Sequence, residues 1–191
     1  FSCRENRRVV TLKINHGKSE VFNGHGTQCC VDFLRGGTGD GFVEENVEFA
    51  RKQIKNIKWN HDVGFMIYCS FGNGLRLTGD PEYKEVIVEA ARSLSTRFRP
   101  VAGIIQSWDV DRGWISERGW ECPVIIDNMM NLELLFAATR LSGDSTFYKV
   151  AVSHVDRTMK EQYRPDGSCY HVVDYSMNFF SSRRRHTRQG Y

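Results

Sequence analysis

Hydrophobic positions recur along this chain at intervals of three and four, the spacing that places them on one face of a helix. The clearest case follows Asp127, where Met130, Leu134, Ala137, Ala138 and Leu141 predict a helix over 128–141. Ser142-Gly143-Asp144 ends it, with glycine where a helix terminus favours a left-handed residue. A second stretch reads alike. Asp62 leads into Phe65, Met66, Ile67, Tyr68, Cys69, Phe71 and Leu75, and Leu77-Thr78-Gly79-Asp80 closes it. Apolar residues lie on most sides of this helix, which predicts burial all round. An amphipathic helix follows each. Asp80-Pro81 opens the first, with proline suited to the first turn, and Val86, Ile87, Ala90, Ala91 and Leu94 share one face over 82–98. The second is predicted over 145–163.

The two hairpins are copies. Asp62 and Asp127, Tyr83 and Tyr148, Lys84 and Lys149, and Arg99-Pro100 and Arg164-Pro165 each stand 65 residues apart. A third, partial copy lies upstream at Leu34 to Asp40, followed by Glu44 to Ile57 with Val47, Ala50 and Ile54 on one face. A repeat of this kind predicts an all-α array in two layers, inner helices lining a centre and outer ones facing solvent. Residues 27–178 are the expected helical domain. Residues 1–26 fit no period and are expected to be disordered or non-native, and 179–191 are expected to form a basic tail, non-native at most in part.

Residues 100–122 interrupt the repeat with Trp108, Trp114 and Trp120 and with Gly103, Gly113 and Gly119. This predicts a loop that either caps helix ends or walls a binding cleft. Trp faces suit the C–H faces of sugars, offering a large apolar area with a polar edge. Residues 164–175 are predicted to turn and then run briefly extended.

Charge and cysteine content change this picture little. The formal charge is +3, but Arg183, Arg184, Arg185 and Arg188 supply it at the extreme end, and without them the balance turns slightly negative. No basic stripe interleaves with aromatics, so nucleic acid is not an expected partner. No apolar run approaches the roughly 20 residues of a membrane span. The chain begins without Met and without the apolar middle of a signal peptide, so the true start is expected further upstream. The six cysteines, at 3, 29, 30, 69, 122 and 169, show no C-x-x-C pair and no zinc-like His spacing, and read as reduced thiols.

The candidate chemistry sits at Asp62 and Asp127, equivalent positions at the start of two inner helices. An aspartate there can simply cap the helix by accepting from its first free N–H groups. The alternative is a pair of carboxylates opening into one cleft, where a single group able to give and then take a proton acts as general acid and base.

His61-Asp62-Val63-Gly64-Phe65, Ser107-Trp108, Ile125-Ile126-Asp127-Asn128-Met129-Met130-Asn131-Leu132 and His171-Val172-Val173-Asp174 resemble glycoside hydrolase family 88, the unsaturated glucuronyl hydrolases. The likeness runs from about residue 27 to 175. It implies an (α/α)6 toroid, here a partial toroid of about three hairpins. It also implies removal of a Δ4,5-unsaturated uronic acid from the non-reducing end of oligosaccharides that polysaccharide lyases release from glycosaminoglycans or related polymers. No metal or organic cofactor is expected, and the implied location is soluble, in the bacterial periplasm or cytoplasm. By this resemblance Asp127 is the general acid/base and Asp62 the second essential carboxylate. His61, Trp108 and His171 match substrate-pocket positions, and Gln189 begins a further pocket motif. Two rivals carry the same residues. One is an unsaturated rhamnogalacturonyl hydrolase acting on pectin fragments, and the other is an inactive helical-repeat fragment in which both aspartates are caps.

Overall fold

The computed structural model describes residues 61–111, 113–175 and 185–186. The partial third copy, the segment 1–26 and most of the basic tail, with Gln189, lie outside the described residues.

The first inner rod comprises α1 (Val63–Ile67), a π-helical turn (Tyr68–Gly72) and α2 (Asn73–Thr78), which follow one another on helical backbone angles. Gly79 ends it at φ 74°, and its N–H returns to the Leu75 carbonyl at 2.8 Å. A left-handed residue satisfies a terminal carbonyl in this way. The outer helix α3 (Pro81–Ser95) starts on Asp80, whose side chain accepts from the Glu82 N–H at 2.9 Å. The second hairpin repeats the plan. A 3-10 stretch (Ile126–Asn131) leads into α5 (Leu132–Ser142), Gly143 terminates it at φ 77°, and Asp144 caps the outer helix by accepting from the Thr146 N–H at 2.8 Å. That outer helix follows α4 (Gly113–Ser116) and α5 in chain order and is α6 (Ser145–Glu161).

Both hairpins share one core. Val63, Ile67 and Phe71 from the first rod meet Val86, Ile87 and Leu94 of α3, Leu134 and Leu135 of α5, and Phe147 and Ala151 of α6. Several of these are fully buried, each contributing on the order of 1.5–3 kcal/mol through apolar area removed from water.

The structure redraws several predicted boundaries. The helix expected from 128 opens as 3-10 and becomes regular only at Leu132. The outer helices expected over 82–98 and 145–163 end at Ser95 and Glu161. The copies also differ by one residue within the inner rod, since the closing glycines Gly79 and Gly143 stand 64 apart and the opening aspartates 65. The π turn of the first copy takes up the extra residue, because a π turn holds more residues than an α turn and a 3-10 turn fewer.

The interruption is more ordered than a loop. β1 (Phe98–Arg99) pairs antiparallel with β2 (Ile104–Ile105). β3 (Pro123–Ile125) pairs antiparallel with β4 (Val172–Asp174), and β5 (Arg185–His186), part of the basic tail, adds to β4. Buried side chains pin these strands to α6. The His154 Nδ1 accepts from the Ile105 N–H at 3.1 Å, and Gln162 donates to the Val124 carbonyl at 2.8 Å. Asp174 accepts from the N–H groups of Glu121 and Cys122. Among the described residues Cys69, Cys122 and Cys169 are outside any disulfide, and burial pushes the Cys122 thiol up to about 12. No described helix is long and apolar enough to cross a membrane.

Candidate active site

Two short elements place the candidate side chains. His61 and Asp62 immediately precede α1, and the Asp62 carbonyl accepts from the Met66 N–H at 3.1 Å, so Asp62 opens that helix. Asp127 is delivered by β3, which runs straight into the 3-10 stretch. The Ile126 N–H donates to the His171 carbonyl at 3.0 Å, extending the β3–β4 pairing to the residue before Asp127.

The carboxylates meet on one imidazole. His61 Nε2 lies 3.0 Å from Asp127 Oδ1 and 3.1 Å from Asp62 Oδ1. The other ring nitrogen, Nδ1, lies 3.2 Å from the Ser107 carbonyl. A carbonyl only accepts, so Nδ1 carries a hydrogen. Two carboxylate oxygens then face Nε2, the nitrogen left to exchange a hydrogen with them. The geometry places three ionisable groups where they can share a proton. Exposure divides their roles, since the His61 side chain is 3% exposed, Asp62 15% and Asp127 44%. Asp127 faces outward, while Asp62 is more recessed.

Asp127 is not a helix cap. It lies inside the 3-10 stretch, and neither that stretch nor α5 has a side-chain cap. The capping account of Asp127 is thereby corrected: the turn is held from within by asparagines. Asn128, fully buried, donates to the Ile105 carbonyl at 2.7 Å and accepts from Asn131 at 2.8 Å. Ser107, also fully buried, accepts from the Ile125 N–H at 3.0 Å through its hydroxyl while its carbonyl holds His61. Across the gap stands Gly64. A Cβ there would meet the Asn131 Cα at 2.4 Å, so only glycine lets the Asp62 segment approach the Asp127 segment this closely.

Trp108 stands beside His61 with ring centroids 5.6 Å apart at 87°. Arg97, buried, braces this wall from below, its Nε donating to the Gln106 carbonyl at 2.8 Å and its Nη2 pairing with Asp109 at 3.2 Å. Burial pulls the Arg97 guanidinium below its ordinary range, partly offset by Asp109. His171 is exposed beside the Asp127 strand and joins the site through its backbone rather than its ring. The structure thus brings His61, Asp62, Asp127 and Trp108 together and leaves His171 at the margin. The residues that sequence reading gave no role are Gly64, Ser107, Asn128 and Asn131. The available signal was a pair of asparagines three apart ahead of an apolar helix, since buried amides need partners.

No family model matches the chain. A curated unsaturated glucuronyl hydrolase from Formosa agariphila is 46% identical over 158 residues, covering 81% of this chain and 38% of that protein. An unsaturated chondroitin disaccharide hydrolase from Streptococcus pneumoniae is 32% identical over 132 residues, covering 69% of this chain and 32% of that protein. Among solved structures, an unsaturated glucuronyl hydrolase specific for heparin superposes with a TM-score of 0.66 at 36% identity, over 87% of this chain and 43% of that one. The unsaturated glucuronyl hydrolase of Bacillus sp. GL1, responsible for the degradation of glycosaminoglycan, gives a TM-score of 0.68 at 26% identity, over 86% of this chain and 44% of that one.

Fold and likeness together define part of an (α/α)6 toroid of the glycoside hydrolase class. The chain spans less than half the length of the relatives it matches. It belongs to the unsaturated glucuronyl hydrolases, glycoside hydrolase family 88.

Proposed function

We propose that the protein containing this segment removes a Δ4,5-unsaturated glucuronyl residue from the non-reducing end of lyase-generated, glycosaminoglycan-type oligosaccharides. The observation that carries this reading is the meeting of Asp62 and Asp127 on His61 Nε2, at 3.1 and 3.0 Å, with Asp127 outward. Such a cluster holds one proton ready beside a solvent-facing carboxylate.

The substrate is an enol ether, so the first step is protonation at carbon. Asp127 delivers its proton to C4, and the ring oxygen supports the cation that forms at C5. Water adds at C5 while Asp127, now a carboxylate, takes a proton from it, the reverse half of general acid–base catalysis. The hemiketal opens to a ketone, and the hemiacetal left at C1 expels the neighbouring sugar. Asp62 and His61 orient Asp127 and supply it with the shared proton that it delivers. The spacing rule for retaining and inverting glycosidases does not apply, because the anomeric carbon is not attacked. Trp108 beside His61 offers a face for the uronate ring, His171 lies at the rim, and Gln189, outside the described residues, is assigned to substrate binding on the resemblance alone. Residues 27–178 serve as part of the catalytic toroid domain.

The test adds an unsaturated glucuronyl disaccharide to the full-length protein and follows the C=C absorbance. The expected result is loss of that band with release of the second sugar. A band that persists under all conditions rejects the reading.

A further inference from the structure

The tryptophans continue beyond the site already described. Trp108 touches Trp114 with centroids 6.0 Å apart, and Trp114 touches Trp120 at 6.2 Å. The two ends of this chain of rings are fixed. Trp108 lies against His61, while Trp120 is 7% exposed and packs with Ile115, Ile125 and Val172. Ile125 ends the strand that delivers Asp127, so the aromatic row and the carboxylate rest on the same packing. Between the anchored ends Trp114 is 53% exposed, a large apolar surface presented to solvent.

Arg118 completes the arrangement. Its guanidinium carbon lies 4.8 Å from the centroid of Trp114 and 4.9 Å from that of Trp120, a cation held over two ring faces. The turn that carries it is held by its N–H donating to the Ile115 carbonyl at 3.0 Å. No carboxylate among the described residues pairs with this guanidinium. Stacking occupies the face of a guanidinium and leaves its N–H edges free, and those edges match carboxylate and sulfate oxygens in a fork geometry.

We propose that Trp114 and Arg118 form a subsite for the sugar that follows the reacting uronate, and that this sugar carries an anionic group, sulfate or carboxylate. The indole takes the apolar face of the ring, and the guanidinium takes the anion. This assignment rests on the proposed function, since it places the subsite one aromatic step beyond Trp108.

The test measures kcat and KM of the full-length protein on three unsaturated glucuronyl disaccharides, whose second sugar is neutral, sulfated or carboxylated. Arg118→Gln is expected to raise KM about tenfold more for an anionic second sugar than for the neutral one, the scale of a lost charge-assisted hydrogen bond. Which anionic substrate responds identifies the group recognised. Trp114→Ala is expected to raise KM for all three. The subsite is overturned if Arg118→Gln shifts all three substrates alike or shifts none. Failure of the unaltered protein to act on any of the three rejects the proposed function instead, so the two failures are distinct.

Discussion

The helical hairpins carry aspartates at both ends, and the two ends use them differently. Asp80 and Asp144 sit between an inner and an outer helix, where each accepts a backbone N–H two residues on. Backbone and side-chain hydrogen bonds from Thr146 hold the Asp144 carboxyl below its usual range. At the opposite end, Asp62 and Asp127 share a histidine nitrogen, and the turn at Asp127 is held by asparagines instead. An aspartate at a helix start is therefore structural or chemical according to what satisfies the first turn. At Asp127 the asparagines do that work, and its carboxylate reaches the histidine instead.

The largest expected effect is at the chemical end. Asp127→Asn keeps the side-chain shape but cannot shuttle a proton, so turnover of the full-length protein should fall by at least about 10²–10⁴-fold. The melting temperature should hardly move, because Asp127 caps nothing. A paired measurement of turnover and melting decides this, and a large thermal shift would return Asp127 to a structural role.

Gly64→Ala should come next, by stability rather than chemistry. The added methyl meets the Asn131 backbone, and overpacking of this kind typically costs about 1–3 kcal/mol. Thermal denaturation reads the loss, and the activity of the folded fraction reads the altered carboxylate spacing. An unchanged protein would show that the two segments are not in close contact.

The copies and their helices were legible in the sequence because period and glycine termini are local properties. The position of Asp127 was legible too, but the way its turn is held was not. Residues Ile126–Asn131 form a 3-10 turn because Asn128 bonds the Ile105 carbonyl, 23 residues back, and no local preference encodes that partner. β4 falls in the stretch predicted to run extended, whereas β1, β2 and β3 were missed for the same reason. Ile104–Ile105 is held by His154 on a distant helix, and a two-residue strand carries no alternation to read. His154, Thr158 and Gln162, four apart and fully buried, were the visible trace of that contact: a polar stripe on a face that should be apolar.

His154 gives a pH prediction away from the carboxylates. Burial, with the His61 charge second, pushes it from 6.5 down to about 3. Above the unfolded value both states are neutral and stability is complete. As pH falls through 6.5 the unfolded chain takes a proton that the folded chain refuses, so stability drops by up to about 1.4 kcal/mol per pH unit until about 3. His154→Asn retains an acceptor for the Ile105 N–H and should flatten this slope between pH 6 and 4 in denaturant titrations. An unaltered slope would assign the acid sensitivity to other groups.

The smallest effect belongs to the structural end. Asp144→Ala should lower the melting temperature slightly and leave turnover unchanged. Lost turnover there would erase the distinction between the two ends.

The central claim is that Asp62, His61 and Asp127 act as one proton-sharing unit. Its most direct test compares kcat/KM of the full-length protein carrying Asp62→Asn, Asp127→Asn and both together. Groups that act as a unit are strongly non-additive, so the double variant should be no slower than the slower single one. Losses that multiply would show two independent carboxylates and contradict the account.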